Sequence, residues 1–111
     1  MESGATGPAA DKAIAAIDQQ LQTLQDLMGE INQGWRDRFE RWKRITREML
    51  VNRVSPSEGD AFQRVGRLTQ MPAFGEPLPS PQAVAENYRV FLTGLRADIA
   101  ASPNTFFPPL A

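Results

Sequence analysis

The sequence predicts an all-α fold, a small bundle of about four helices with a Pro-rich connection before the last helix. Three observations carry this. Ile14, Ile17, Leu21, Leu24, Met28 and Ile31 recur at alternating intervals of three and four residues. The stretch WRDRFERWKRITREML, from Trp35 to Leu50, collects its apolar side chains on one side of a helical wheel. Two Ser-Pro pairs, at 55–56 and 80–81, each stand immediately before an apolar-periodic run. At 111 residues and 12.3 kDa the chain suits one domain with one modest core.

Residues 1–10 (MESGATGPAA) are small and unpatterned and are expected to form a flexible leader, ahead of a first helix over 11–33. The heptad seam of that helix has two uses, a coiled-coil contact with a partner or second copy, or packing within its own bundle. Fewer than three heptads and few charges beside the seam favour the second. Asn32-Gln33-Gly34 is expected to break or kink the chain, with Gly34 as a cap at the end of the first helix. A continuous helix is the alternative, because Trp35, Trp42, Ile45 and Met49 keep the same register.

On a wheel of about 100° per residue, the second helix, 35–53, places Phe39, Trp42, Thr46, Met49 and Leu50 within about 60° of Trp35, with Ile45 just beyond. Arg36, Lys43 and Arg47 gather on one flank, and Asp37, Glu40 and Glu48 interleave with Arg41 and Arg44 on the back. Asp37/Arg41 and Glu40/Arg44 have the favourable acid-first spacing of four. Residues 36–53 hold seven basic and three acidic residues, whereas residues 1–34 hold one Lys and five acids. The expected use of that asymmetry is attraction between the first two helices. Arg38 falls beside the apolar face and is expected to run its stem along the core edge or to reach a partner.

In Ser55-Pro56-Ser57-Glu58 the Ser caps free amides, the Pro occupies the first helical position and Glu58 completes a capping box. The third helix, 56–70, buries Phe62, Val65 and Leu68 and fades near Met71-Pro72. The segment 72–81 (PAFGEPLPSP) is a semi-rigid connection, and its Pro77, Pro79 and Pro81 do not have the P-x-x-P spacing of a polyproline ligand. Ser80-Pro81 opens the last helix, 81–101, with Val84, Tyr88, Phe91, Leu92, Leu95 and Ile99 as its stripe, and Pro103 stops it. The tail 102–111 is expected to be non-helical and to present Phe106 and Phe107 to the bundle or to another surface.

The chain has no Cys and no His, which removes disulfides, thiolate nucleophiles, the usual zinc sites and the commonest general base. The carboxylates Asp11, Asp18, Glu58 and Asp60 fall outside any apolar patch and read as solvated charges. No catalytic residue, cofactor or metal is expected, and the protein is expected not to be an enzyme. A net charge of −1 gives no global attraction to nucleic acid or anionic membrane. No apolar run approaches the roughly 18 residues of a membrane span, and the start lacks a signal-peptide pattern, so a cytoplasmic site is expected.

The pattern Phe39-x-x-Trp42-Lys43-x-x-Thr46-x-x-x-Leu50, followed by a Ser-led turn and Phe62, resembles the small helical domain of bacterial anti-phage proteins that stands beside TIR-like or nucleotide-sensing effectors. The likeness covers residues 13–66. Asn52-Arg53-Val54 replaces the family's Phe-Gly at the end of the Trp helix, and no TIR-like sequence follows in these 111 residues. The resemblance implies a regulatory or assembly part whose effector sits elsewhere, and it assigns no catalytic residue. The chain is also similar in size to the small all-helical subunits of RNA-guided complexes.

The expected function is therefore a protein–protein interaction or assembly module within a larger bacterial complex, through a protein partner or self-association. The expected contact residues are Arg36, Arg38, Lys43, Arg47, Phe106 and Phe107. The alternative is a nucleic-acid-binding subunit gripping through Arg36, Lys43 and Arg47.

Overall fold

The computed structural model describes residues 8–69 and 80–108, with the side chains of 67–69 left aside. Leader residues 1–7, the packing of Leu68, the fading at Met71-Pro72, most of the connection 72–81 and tail residues 109–111 lie outside the described residues. The fold is all-α. Among the described residues the helices are α1 (Pro8–Met28), α2 (Trp35–Arg53), α3 (Pro56–Thr69), α4 (Pro81–Ala101) and the single turn α5 (Pro103–Phe106). α1 packs on α2 and α4, α3 packs on α2 and α4, and α5 packs on α4. α1 and α2 run antiparallel, as shown by Trp35 against Leu27 with Trp42 against Gln20, and so do α2 and α3, with Val51 against Gly59 and Trp42 against Phe62. The four long helices thus close a ring of neighbours around one core.

The first helix begins and ends earlier than its periodicity implies. Pro8 starts it and Ala10 is already buried, so residues 8–10 belong to the bundle rather than to a leader. Gly29 N–H closes the last turn on Gln25 O and Asp26 O, and Ile31, the last member of the heptad seam, is exposed in the loop. Leu27 O accepts from Glu30 N–H at 3.2 Å and from the indole of Trp35 at 2.8 Å, so the carbonyl that a continuing helix would use is taken up by the turn and by α2. The break lies over 29–34, and Gly34 caps the start of α2 instead of the end of α1. It has φ 86°, the left-handed region that Gly enters without strain, and its carbonyl accepts from Arg38 N–H.

The Ser55 cap forms, with Glu58 N–H donating to Ser55 Oγ at 3.3 Å. The reciprocal half of the box does not form, because Ser55 N–H donates to Leu50 O at 2.9 Å. Ser80 Oγ accepts from Ala83 N–H at 3.1 Å at the head of α4. The tail is helical for one turn, against expectation. Pro103 ends α4, yet its fixed φ and missing N–H suit a first helical position, and Phe107 N–H closes the turn on Pro103 O at 2.8 Å.

The core centres on an aromatic cluster. Trp35 stacks on Phe39 and Phe39 on Trp42, at centroid distances of 4.8 and 5.7 Å. Tyr88 meets Phe39 and Trp42 edge-on and lies 4.8 Å from Phe62. Ile17 and Leu24 of α1, Leu50 of α2, and Leu92, Leu95 and Ile99 of α4 complete it. Ile45 is not part of this face; it is 49 % exposed, because it stands at the wheel's edge where no neighbouring helix reaches.

The charge asymmetry between α1 and α2 is not realised as ion pairs between them among the described residues. Those helices are joined by Trp42 Nε1 donating to Gln20 O at 3.0 Å and Thr46 Oγ1 donating to Gln20 Oε1 at 3.1 Å. Asp18 pairs instead with Arg96 of α4 at 2.5 Å, and Glu40 takes Lys43 three residues on rather than Arg44.

Gly66 allows α3 to approach Tyr88. A Cβ there would overlap Tyr88 Oη well inside contact distance and lie 3.3 Å from Cζ, whereas a Cβ on Gly94 meets nothing within 4 Å. Gly66→Ala is therefore expected to destabilise the fold by about 1–3 kcal/mol through overpacking. Gly94→Ala should stabilise it by about 0.5–1 kcal/mol through helix propensity. Adding Tyr88→Phe should recover much of the Gly66→Ala loss, checked by denaturant unfolding of the single and double variants.

Candidate functional site

The residues expected to meet a partner do not form one surface. Arg36 is exposed at the start of α2, and its side chain makes no hydrogen bond or ion pair among the described residues. Arg38 is committed to the α1–α2 loop, its Nη2 donating to Glu30 O at 3.1 Å and to Asn32 Oδ1 at 2.8 Å. That explains its position beside the apolar face: it staples the break. Phe106 and Phe107 are half-buried and pack against the core, so the tail folds back onto the bundle.

Lys43 and Arg47 are one turn apart on α2 and do come together. They line a cleft of about 420 Å³ with Glu40, Arg44, Phe62, Gln63, Gly66 and Tyr88. Lys43 Nζ lies 2.8 Å from Glu40 and 5.3 Å from the centre of the Phe39 ring, and its side chain is only 16 % exposed. Arg47 Nη2 stands 3.5 Å from Asp60 Oδ1, the outer limit of a hydrogen bond, and its Nε is buried without an acceptor. Arg44 makes no ion pair among the described residues. The wheel places Arg44 among acids on the back of α2 and so misses it. Only the approach of α3, permitted by Gly66, shows that one wall of this cleft is cationic.

A second concavity, of about 510 Å³, runs between α1 and α4 on the opposite side of the ring. Leu21, Leu24, Met28 and Ala85 provide its apolar lining, and Gln22, Gln25, Gln82 and Thr93 provide polar groups. Its charges are already paired, Asp18 with Arg96 and Glu86 with Arg89. The hydrogen bonds from Arg89 hold the Glu86 carboxyl below the usual carboxylate range. Leu21 and Met28 belong to the heptad seam, and in that respect the sequence marks the groove; the α4 wall is not legible there.

Among the described residues no three His, Cys, Asp or Glu side chains gather as metal ligands, and no helix is long and apolar enough to cross a membrane. Tyr88, the only tyrosine, has its pKa raised to about 12, first by burial and second by the facing Glu40 carboxylate. Its phenol is thus a proton donor across the physiological range. The tyrosinate absorbance should therefore appear near pH 12 in the folded protein. Because the pKa is raised on folding, the associated stability is intact below about pH 10, the ordinary value, and is lost between there and about 12. Glu40→Gln should move the titration downward. No protein family, curated protein or solved structure matches the chain.

Proposed function

We propose that this bundle is a non-enzymatic interaction or assembly module whose α1–α4 groove takes the apolar face of a helix from a partner protein. The supporting observation is the division of the heptad seam. Ile17 is consumed by the core and Leu24 and Ala85 form the buried floor of the groove, whereas Leu21 and Met28 are half-buried along it, leaving one edge of the seam partly open. An amphipathic helix is the element whose apolar spacing matches that edge.

The rim defines the partner's chemistry. Two ion pairs internal to the bundle leave little net charge, and three Gln side chains offer amide hydrogen bonds. The partner helix is then neutral-flanked, and its binding depends weakly on salt, unlike nucleic-acid binding. A regulatory role beside a bacterial anti-phage effector is the biological setting that the resemblance of residues 13–66 supports.

Light scattering of the protein co-purified with the products of adjacent genes tests this reading. A stoichiometric complex is expected, changing little between low and high salt. Leu21→Glu should weaken it by about tenfold or more, the loss of one buried apolar side chain, with circular dichroism of the variant separating lost binding from lost packing, since Leu21 also touches the core. Self-association alone would make the occupant a second copy. A monomer that engages none of those products, or binding only to nucleic-acid probes with steep salt dependence, would overturn the proposal.

A further inference from the structure

We propose that the cleft between α2 and α3 is a binding site for a phosphate-type oxyanion, held by Lys43, Arg44 and Arg47. This site lies across the ring from the α1–α4 groove and does not depend on that groove's role.

The first support is geometric. Three cationic residues within two turns of α2 border one concavity of about 420 Å³. Gly66 opens the opposite wall, and Gln63 and the protonated Tyr88 add uncharged donors.

The second support is unused donor capacity. A guanidinium beside a carboxylate ordinarily closes a two-pronged pair, and Asp60 is near enough to offer one. Arg47 instead makes a single contact at 3.5 Å through Nη2, and its side chain is 42 % exposed, so its guanidinium is not closed off by that carboxylate. Arg44 has no carboxylate within ion-pair distance among the described residues. An incoming anion supplies acceptors that the fold omits.

The acids near the cleft set the ligand's charge. Glu40 holds Lys43, and Asp60 stands off Arg47, so two carboxylates offset part of three cations. A carboxylate ligand has two coplanar oxygens and one charge, and it competes poorly with acids already in place. A tetrahedral phosphate carries up to two charges and can accept from Lys43, Arg44 and Arg47 at once. Its source is either a small phosphorylated molecule or a phosphorylated side chain of another protein.

The test is a titration of the ¹⁵N-labelled full chain, followed by amide shifts, with inorganic phosphate, acetate, adenosine monophosphate and a phosphoserine peptide at constant ionic strength. Saturable shifts are expected at residues 43–47 and 60–66, with phosphate about tenfold or more tighter than acetate. Arg47→Gln and Arg44→Gln should each weaken phosphate severalfold. Arg44 has no described partner, so its variant keeps the test sound if Arg47→Gln disturbs packing. Asp60→Asn should tighten binding, whereas Asp98→Asn, the same charge change on α4, should not. Tighter binding of the nucleotide assigns a small-molecule source, and tighter binding of the peptide assigns a protein one. Linear shifts, equal response to acetate, or phosphate binding unchanged in both Arg variants would overturn the proposal.

Discussion

Both indole N–H groups of the chain are donated to main-chain carbonyls of α1, Trp35 to Leu27 and Trp42 to Gln20. The donors are seven residues apart on α2 and the acceptors seven apart on α1, running in the opposite direction. Two such bonds, two turns apart, lock the antiparallel register, since sliding α2 by a single turn would strand both buried donors. The aromatic faces follow from that register. Trp35, Phe39 and Trp42 form one stack, Tyr88 and Phe62 lean against it, and α3 and α4 take their places around it. Thr46, fully buried, extends the same contact to the Gln20 side chain. The α1–α2 pair is thus specified by directional bonds, and net charge difference contributes no ion pair to it among the described residues.

Helix identity was legible in the sequence because it depends on local physics. Ser55-Pro56 and Ser80-Pro81 mark helix starts by cap and proline alone, and the interval pattern of α4 identifies Tyr88, Leu92, Leu95 and Ile99 as core, all of which are buried. Where the reading fell short, a tertiary contact decided. The end of α1 is closed by a backbone turn over 25–30 together with a tryptophan side chain reaching back from α2 to Leu27 O, and that second contact is not contained in any window of sequence within α1. Ile45 and Ile31 carry the right period but face no neighbour. The helical turn in the tail exists because a proline that terminates one helix is equally suited to begin another.

The candidate surfaces were less legible, because each is made by two helices. Single-helix wheels place Lys43 and Arg47 correctly on a shared flank, yet they group Arg36 with them, although only the first two face α3. They offer Arg38 the core edge or a partner, whereas its guanidinium is taken by Glu30 O and Asn32 Oδ1 of the loop. The seam on α1 signalled apolar contact, and packing divided it: Ile17 went to the interior, Leu21, Leu24 and Met28 border the groove against α4, and Ile31 is left exposed in the loop. A sequence pattern reports that a side chain must be covered, and only the assembled bundle shows which covering is incomplete.

The notch at Gly66 ties interior to surface. Tyr88 is anchored in the aromatic cluster at its ring, and its oxygen ends at the cleft because position 66 carries no side chain. One missing methyl group therefore sets both how tightly α3 seats and how deep the cationic cleft is. Variation at that position cannot remodel the recess alone: a larger residue would fill it and lift α3 in the same step, so the shape of this surface is inherited from the core.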